Sequence, residues 1–233
     1  MRPVRAHRIV GIIGGMGPEA TVDLMRRVIA KTRAEDDQDH IHLIVESNPK
    51  IPSRLAHLIE QTGPDPTSEL VRIAENLQKA GADALAMPCN TAHVYAPAIK
   101  NAVSIPFIDM VAITVAEIAQ GMPARVGLLA SSAVLKTRLY ESAFAAHGIK
   151  TVAPRDQHAV MALIKAVKQG ASGEAERGTL AALAQGLAGE ADALVIACSE
   201  LSVIAAGILV PFTDSVEVLA DHIVRFAGAR FAR

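Results

Sequence analysis

The chain contains two cysteines, and each closes a copy of the same short stretch. Ala82-Asp83-Ala84-Leu85-Ala86-Met87-Pro88-Cys89 returns as Ala191-Asp192-Ala193-Leu194-Val195-Ile196-Ala197-Cys198. Each apolar run reads as a buried parallel strand. Each cysteine then stands at a strand's C-terminal end, where open α/β sheets place their ligands. Asn90, Thr91, Ala92 and His93 follow the first cysteine, and Ser199, Glu200 and Leu201 follow the second. Both tails can start a helix, whose dipole and free N–H groups favour thiolate. A thiolate and a thiol on opposite sides of one carbon can take a proton from one face and return one to the other. That inverts a stereocentre without hydride transfer. Asn90, Thr91, Ser131, Ser132 and Ser199 offer the hydroxyl, amide and N–H groups that would hold an α-carboxylate and the charge developing beside it.

Other chemistries fit these residues less well. Cysteine is often simply buried, but two at equivalent positions, each followed by a polar side chain, need more than packing. Cys89 and His93 lie four apart and Glu200 is near Cys198, yet no paired C-x₂₋₄-C spacing of a structural zinc site occurs in either half. Gly15-x-Gly17-x-x-Ala20 loosely matches a dinucleotide fingerprint. The acidic residue which that fingerprint needs at the end of the next strand is misplaced: Asp36 and Asp37 precede the strand and Glu46 lies beyond. A tight turn, or close backbone approach to a small anion, explains those glycines better. Arg54 and Lys168 are candidate cations for a second carboxylate on a substrate, against the plainer reading of solvated surface charges.

The elements that would position these groups alternate. Ile9 to Ile13 is a strand, closed by Gly14-Gly15-Met16-Gly17-Pro18 and followed by a helix, with Pro18 suited to its first position. Ile41 to Glu46 is a second strand, ending in the polar loop Ser47 to Arg54. Ser68 to Ala80 predicts a helix closed by Gly81, then comes the first cysteine strand, a helix over about Thr91 to Ala102, and Ile105 to Asp109. The pattern restarts at Arg125 to Ser132, with a helix over about Leu135 to His147, a short strand at Lys150 to Ala153, and helices at His158 to Lys168 and Glu174 to Ala188. After the second cysteine strand, Val210 to Asp214 echoes Ile105 to Asp109, and Val216 to Phe226 is the last helix. The reading is a duplicated α/β unit with parallel sheets: two pseudo-symmetric lobes, with the active-site cleft between them and one cysteine facing in from each. The echoed segments are expected to cross over, giving a first lobe of residues 1–105 plus 211–233 and a second of 106–210.

Composition narrows the setting. Apolar residues make up 51% of 233, and the mean hydropathy is +0.29, which excludes disorder and supplies a substantial core. The net charge of −1 without a basic block, and only 3% aromatics without Trp, argue against nucleic-acid or membrane-surface partners. No apolar run spans a bilayer, and Met1 to Arg8 lacks the apolar stretch of a signal peptide. The expectation is a cytoplasmic protein with reduced cysteines.

The motifs together resemble the cofactor-independent aspartate/glutamate racemases, and within them the aspartate racemase branch. The carriers are Gly14-Gly15-Met16-Gly17-Pro18, Asn48-Pro49-Lys50-Ile51-Pro52-Ser53-Arg54, Pro88-Cys89-Asn90-Thr91-Ala92-His93 and Cys198-Ser199-Glu200-Leu201. The resemblance implies two pseudo-symmetric lobes, a two-cysteine proton relay, neither metal nor pyridoxal phosphate, an amino-acid substrate and a homodimer. By position it implies Cys89 and Cys198 as the acid/bases, and Met16, Asn48, Asn90, Thr91, Ser131, Ser132, Ser199 and Glu200 about the substrate. Arg54 and, by a looser match, Lys168 would grip its side-chain carboxylate. Ser199 stands where the family usually has Thr, Ser47 where Asn is common, and Ser202 where Pro is common. An isomerase or decarboxylase of a non-amino dicarboxylic acid, and a two-lobed binder of small anions, are the alternatives.

Overall fold

The computed structural model describes residues 7–232, so of the basic N-terminal stretch only His7 and Arg8 fall within it, and Arg233 lies outside. In the first half the chain forms β1 (Val10–Gly14), α1 (Pro18–Lys31), β2 (Leu43–Ser47), α2 (Thr67–Lys79), β3 (Ala84–Ala86), α3 (Ala96–Ala102), β4 (Phe107–Ile108) and α4 (Met110–Ala119). The second half runs β5 (Arg125–Ala130), α5 (Ser132–Lys136), α6 (Leu139–Ala145), β6 (Lys150–Val152), α7 (Gln157–Lys168), α8 (Glu174–Ala188), β7 (Ala193–Ala197), α9 (Ser199–Val203), β8 (Thr213–Asp214) and α10 (Ser215–Ala227). Among the described residues no helix is long and apolar enough to cross a membrane.

The strands make two parallel four-stranded sheets of the same order, β2-β1-β3-β4 and β6-β5-β7-β8. The α/β class and the two-sheet architecture are therefore as the repeat indicated. The internal likeness has a packing cause. Gly11 lies opposite Leu85 and Gly127 opposite Leu194. A Cβ on Gly11 would come within 2.9 Å of the Leu85 side chain and 3.1 Å of Leu77, and one on Gly127 within 2.5 Å of Leu194 and 2.6 Å of Leu187. Leu77 is on α2 and Leu187 on α8, so in each half a helix presses on the central strand at the same point, where only glycine fits.

Each sheet is covered on both faces, as parallel sheets require. One face of the first sheet buries Leu70, Ile73 and Leu77 of α2 with Ile99 of α3. One face of the second buries Val160, Ile164 and Val167 of α7 with Leu180 and Leu187 of α8. The remaining faces are closed by exchanged helices. Helix α4, which follows β4 of the first sheet, packs Val111, Val115 and Ile118 against Val126, Leu128 and Val195 of the second. Helix α10, which follows β8 of the second sheet, packs Val216, Leu219 and Ile223 against Val10, Ile12 and Ala86 of the first.

This corrects the expected crossover of strands. Phe107 and Ile108 pair with Leu85 and Ala86 in the first sheet, and Thr213 and Asp214 pair with Val195 and Ile196 in the second. The boundaries at 105/106 and 210/211 therefore fall a few residues early. The crossings come at Asp109 and Asp214, which cap α4 and α10 by accepting the Ala112 and Val216 amides. A short strand must find partners for its backbone groups at the nearest open edge, here β3 or β7. A helix bonds internally and is free to carry its apolar face to the other lobe.

Two helices also differ in detail. The predicted helix over 135–147 starts earlier, at Ser132, and breaks at Arg138, whose φ of 54° is left-handed. The segment after Cys89 begins as a 3-10 turn over Thr91–Tyr95 before α3.

Candidate active site

The ends of β3 and β7 bring the two cysteines to one pocket between the lobes. Both are buried, Cys89 at 6% exposure and Cys198 at 5%. The first lobe contributes Met16 from the glycine turn, Ser53, Arg54 and Leu55 from the proline loop, and Asn90 and Thr91 beside Cys89. The second contributes Ser131 from the end of β5, Ile164 and Lys168 from α7, and Ser199 and Glu200 beside Cys198.

The glycine turn is shaped by neighbouring backbone. Gly15 has φ +91°, and a Cβ there would lie 2.4 Å from the carbonyl carbon of Asn48. The Gly15 amide donates to Thr21 Oγ1 at 2.9 Å, and that hydroxyl donates to the Gly17 carbonyl at 3.1 Å, fixing the entry to α1. The turn thereby presents Met16 to the pocket, where it is 3% exposed.

Thr91 and Ser131 meet across the cleft, with their hydroxyl oxygens 3.0 Å apart. Ser131 is also the N-cap of α5 and accepts the Val134 amide at 3.3 Å. Asn90 is placed at the pocket, but its amide is largely committed. Its Oδ1 accepts the Tyr140 hydroxyl at 2.6 Å and its Nδ2 donates to Ser215 Oγ at 3.1 Å. Burial pushes the Tyr140 phenol well above its ordinary value, which keeps it a donor. Asn90 thus braces the first lobe against α6 and the start of α10 while it lines the pocket.

Two expected residues are not on the pocket wall. Asn48 donates to Glu69 Oε1 at 2.7 Å and accepts the Lys50 amide at 2.9 Å, which makes it the organiser of the proline loop. Ser132 faces α7: its amide donates to Met161 Sδ at 3.2 Å and its hydroxyl accepts from Gln157 at 3.4 Å. Ser53, Leu55 and Ile164 line the pocket without having been singled out. The first two sit in and just after the proline loop; Ile164 gave no signal beyond its helical spacing.

The half-sites differ electrostatically. The Cys198 thiol donates to Glu200 Oε2 at 3.2 Å, while Glu200 Oε1 lies 3.6 Å from Lys168 Nζ. Burial, and then the Glu200 charge, push the Cys198 thiol well above its ordinary value, against the pull of the Leu201 and Glu200 amides. Cys198 is therefore held as a thiol here. Arg54 Nη1 donates to the Pro52 carbonyl at 3.1 Å, and among the described residues the guanidinium has no carboxylate in salt-bridge range. His93, weighed as a metal ligand, has both ring nitrogens engaged. Nε2 accepts the Met110 amide at 3.1 Å, so Nδ1 carries the proton and donates to the Cys89 carbonyl at 2.9 Å.

Fold and site define a two-lobed α/β protein with one cysteine from each lobe in a common cleft. The Asp/Glu/Hydantoin racemase family matches residues 13–223, and the chain belongs to that family. It is accordingly an isomerase of the amino-acid racemase class. It is 30% identical over 225 residues to the broad specificity amino-acid racemase RacX of Bacillus subtilis (strain 168), covering 93% of this chain and 96% of that one. The aspartate racemase of Picrophilus torridus superposes with a TM-score of 0.88 at 33% identity, over 97% of this chain and 96% of that one. An aspartate racemase homologue from Pyrococcus horikoshii OT3 shares the fold, with a TM-score of 0.72 at 19% identity over 95% and 99% of the two chains.

Proposed function

We propose that the protein racemises an acidic amino acid, aspartate first, by proton transfer between Cys89 and Cys198. The observation that carries this reading is that the two cysteines, equivalent in the duplication, share one pocket. One thiolate takes the Cα proton, leaving the electron pair on Cα and its carboxylate. The opposite thiol then gives its proton to the other face of Cα, so that the two cysteines exchange protonation states over a turnover. Thr91 and Ser131, hydroxyls of opposite lobes 3.0 Å apart, suit the α-carboxylate and the charge that grows on it. Closure of the lobes about a substrate would exclude water, which strengthens each of these contacts.

Arg54 supports an acidic side chain. It lines the pocket, a proline loop restricts it, and its free planar fork matches a carboxylate in bidentate geometry. Likeness to the Picrophilus aspartate racemase favours the same substrate. A broader range has its own support. Glu200 offsets the Lys168 charge, and a neighbouring open cleft, walled by Ile51, Val167 and Val203, shares Met16, Arg54 and Lys168 with the cysteine pocket. Longer or less acidic side chains would extend there, in keeping with the likeness to a broad specificity relative. Chiral chromatography after incubation with single enantiomers, without added cofactor, separates the two readings. Aspartate selectivity that collapses in Arg54→Lys supports the first. Equal turnover of aspartate and neutral amino acids, unaffected by that change, supports the second.

The homodimer belongs to this reading too. Val22 and Ile29 on α1 are about half exposed and lie seven residues apart on one face, a surface a second copy would cover. Sedimentation of Val22→Glu against the parent chain tests it.

A further inference from the structure

The residue four positions after each cysteine does the same job in both halves, though one is a histidine and the other a serine. One helical turn brings such a residue back over the cysteine's own carbonyl. His93 donates to the Cys89 carbonyl at 2.9 Å and accepts the amide of Met110, the first residue of α4. The Ser202 hydroxyl donates to Asp214 Oδ1 at 2.6 Å and lies 3.3 Å from the Cys198 carbonyl. Asp214 is the N-cap of α10 and also accepts Arg27 of α1 at 2.7 Å, while Arg27 reaches the Ser202 carbonyl at 3.1 Å. Each cysteine turn is thus tied, through its fourth following residue, to the start of a helix that packs on the opposite lobe. His93 and Ser202 are both buried, at 3% exposure, and neither lines the pocket.

We infer that His93 and Ser202 are positioning residues, each fixing the reach of its own cysteine against the exchanged helix that bridges the lobes. The inference rests on the two-cysteine reading above. It differs from a merely structural role in being one-sided. Loss of His93 handicaps proton transfer at Cys89, and loss of Ser202 handicaps it at Cys198. Misplacement by about 1 Å costs up to about a hundredfold in rate.

The equality of kcat/KM in the two directions, which racemisation imposes, hides this asymmetry, but isotope effects reveal it. When one cysteine is misplaced, breaking the Cα–H bond limits the rate for the enantiomer which that cysteine deprotonates. For the mirror enantiomer, delivery of the proton becomes slow instead. The experiment measures kcat, KM and the primary isotope effect with α-deuterated L and D forms of the amino acid that wild type racemises fastest. His93→Ala and Ser202→Ala are compared with wild type, with Ser202→Thr as the conservative rescue. The expected result is a fall in kcat with little change in KM. The isotope effect rises for one enantiomer in His93→Ala and for the opposite enantiomer in Ser202→Ala, and returns toward wild type in Ser202→Thr. If His93→Ala does not fold, Ser202→Ala decides alone, because Asp214 keeps its Arg27 and Val216 donors. Isotope effects that rise equally for both enantiomers, or not at all, overturn the inference while racemisation stands. A wild-type chain that exchanges no α-proton overturns the two-cysteine reading and this inference with it.

Discussion

The Cys198 thiol donates to the Glu200 carboxylate at 3.2 Å, and the same carboxylate lies 3.6 Å from Lys168. The arrangement holds Cys198 protonated, the state from which it can deliver a proton, while the Leu201 and Glu200 amides stand ready for a thiolate. Glu200→Gln removes the charge but leaves the burial, so the thiol should titrate at a lower pH without reaching that of a free cysteine. Ultraviolet absorbance of the thiolate, followed against pH in a Cys89→Ala background, reads Cys198 alone. An unchanged midpoint would mean that burial sets it unaided.

Thr91 and Ser131 form a hydroxyl pair that joins the two lobes. A double-mutant cycle with Thr91→Val and Ser131→Ala should give a coupling of about 0.5–1.5 kcal/mol in unfolding, the net value of one intramolecular hydrogen bond. Because both hydroxyls face the substrate pocket, each single change should also raise KM. Additive effects on stability would remove the pair as a latch between the lobes.

His93 gives stability a defined pH dependence. Burial holds its imidazole below the ordinary 6.5; Asp109 pulls the other way and Lys100 adds slightly to the lowering. The unfolded chain therefore binds a proton at higher pH than the folded one, so stability is full above about 6.5 and falls as the pH drops below it. The slope from this one group cannot exceed about 1.4 kcal/mol per pH unit, the limit for one proton. Denaturant unfolding of wild type and His93→Gln over that range checks it, since the contributions of other groups cancel in the difference. Parallel curves would contradict the assignment of a neutral, bridging imidazole.

The site was more legible in the sequence than the way the lobes are joined. The repeated strand, its cysteine and the glycine turn sit where local chemistry fixes them: at strand ends, and at a position where a Cβ would strike the Asn48 backbone. Asn90 and Asn48 show the limit of motif reading. Both side chains are polar and near the cleft, but their partners, Tyr140, Ser215 and Glu69, come from elements far away in the chain. Helix α4 carries no helical signature in its sequence for a related reason. Met-Val-Ala-Ile-Thr-Val-Ala-Glu-Ile-Ala has no clear polar face, because Met110 serves the first lobe's core while Val111, Val115 and Ile118 serve the second's. A segment shared between two cores loses the period by which helices are recognised. The echoed Asp109 and Asp214 marked both crossings as helix caps, a local signal that needed the sheets to be understood.

Exchange of the α-proton in D₂O, measured together with optical rotation, tests the central claim most directly. With L-aspartate and no added cofactor, wild type should lose the Cα–H signal and the rotation together. Cys89→Ala and Cys198→Ala should each lose net racemisation, because neither face of Cα can be served without its own cysteine. A single variant that still racemises aspartate at a rate near wild type would contradict the two-cysteine account.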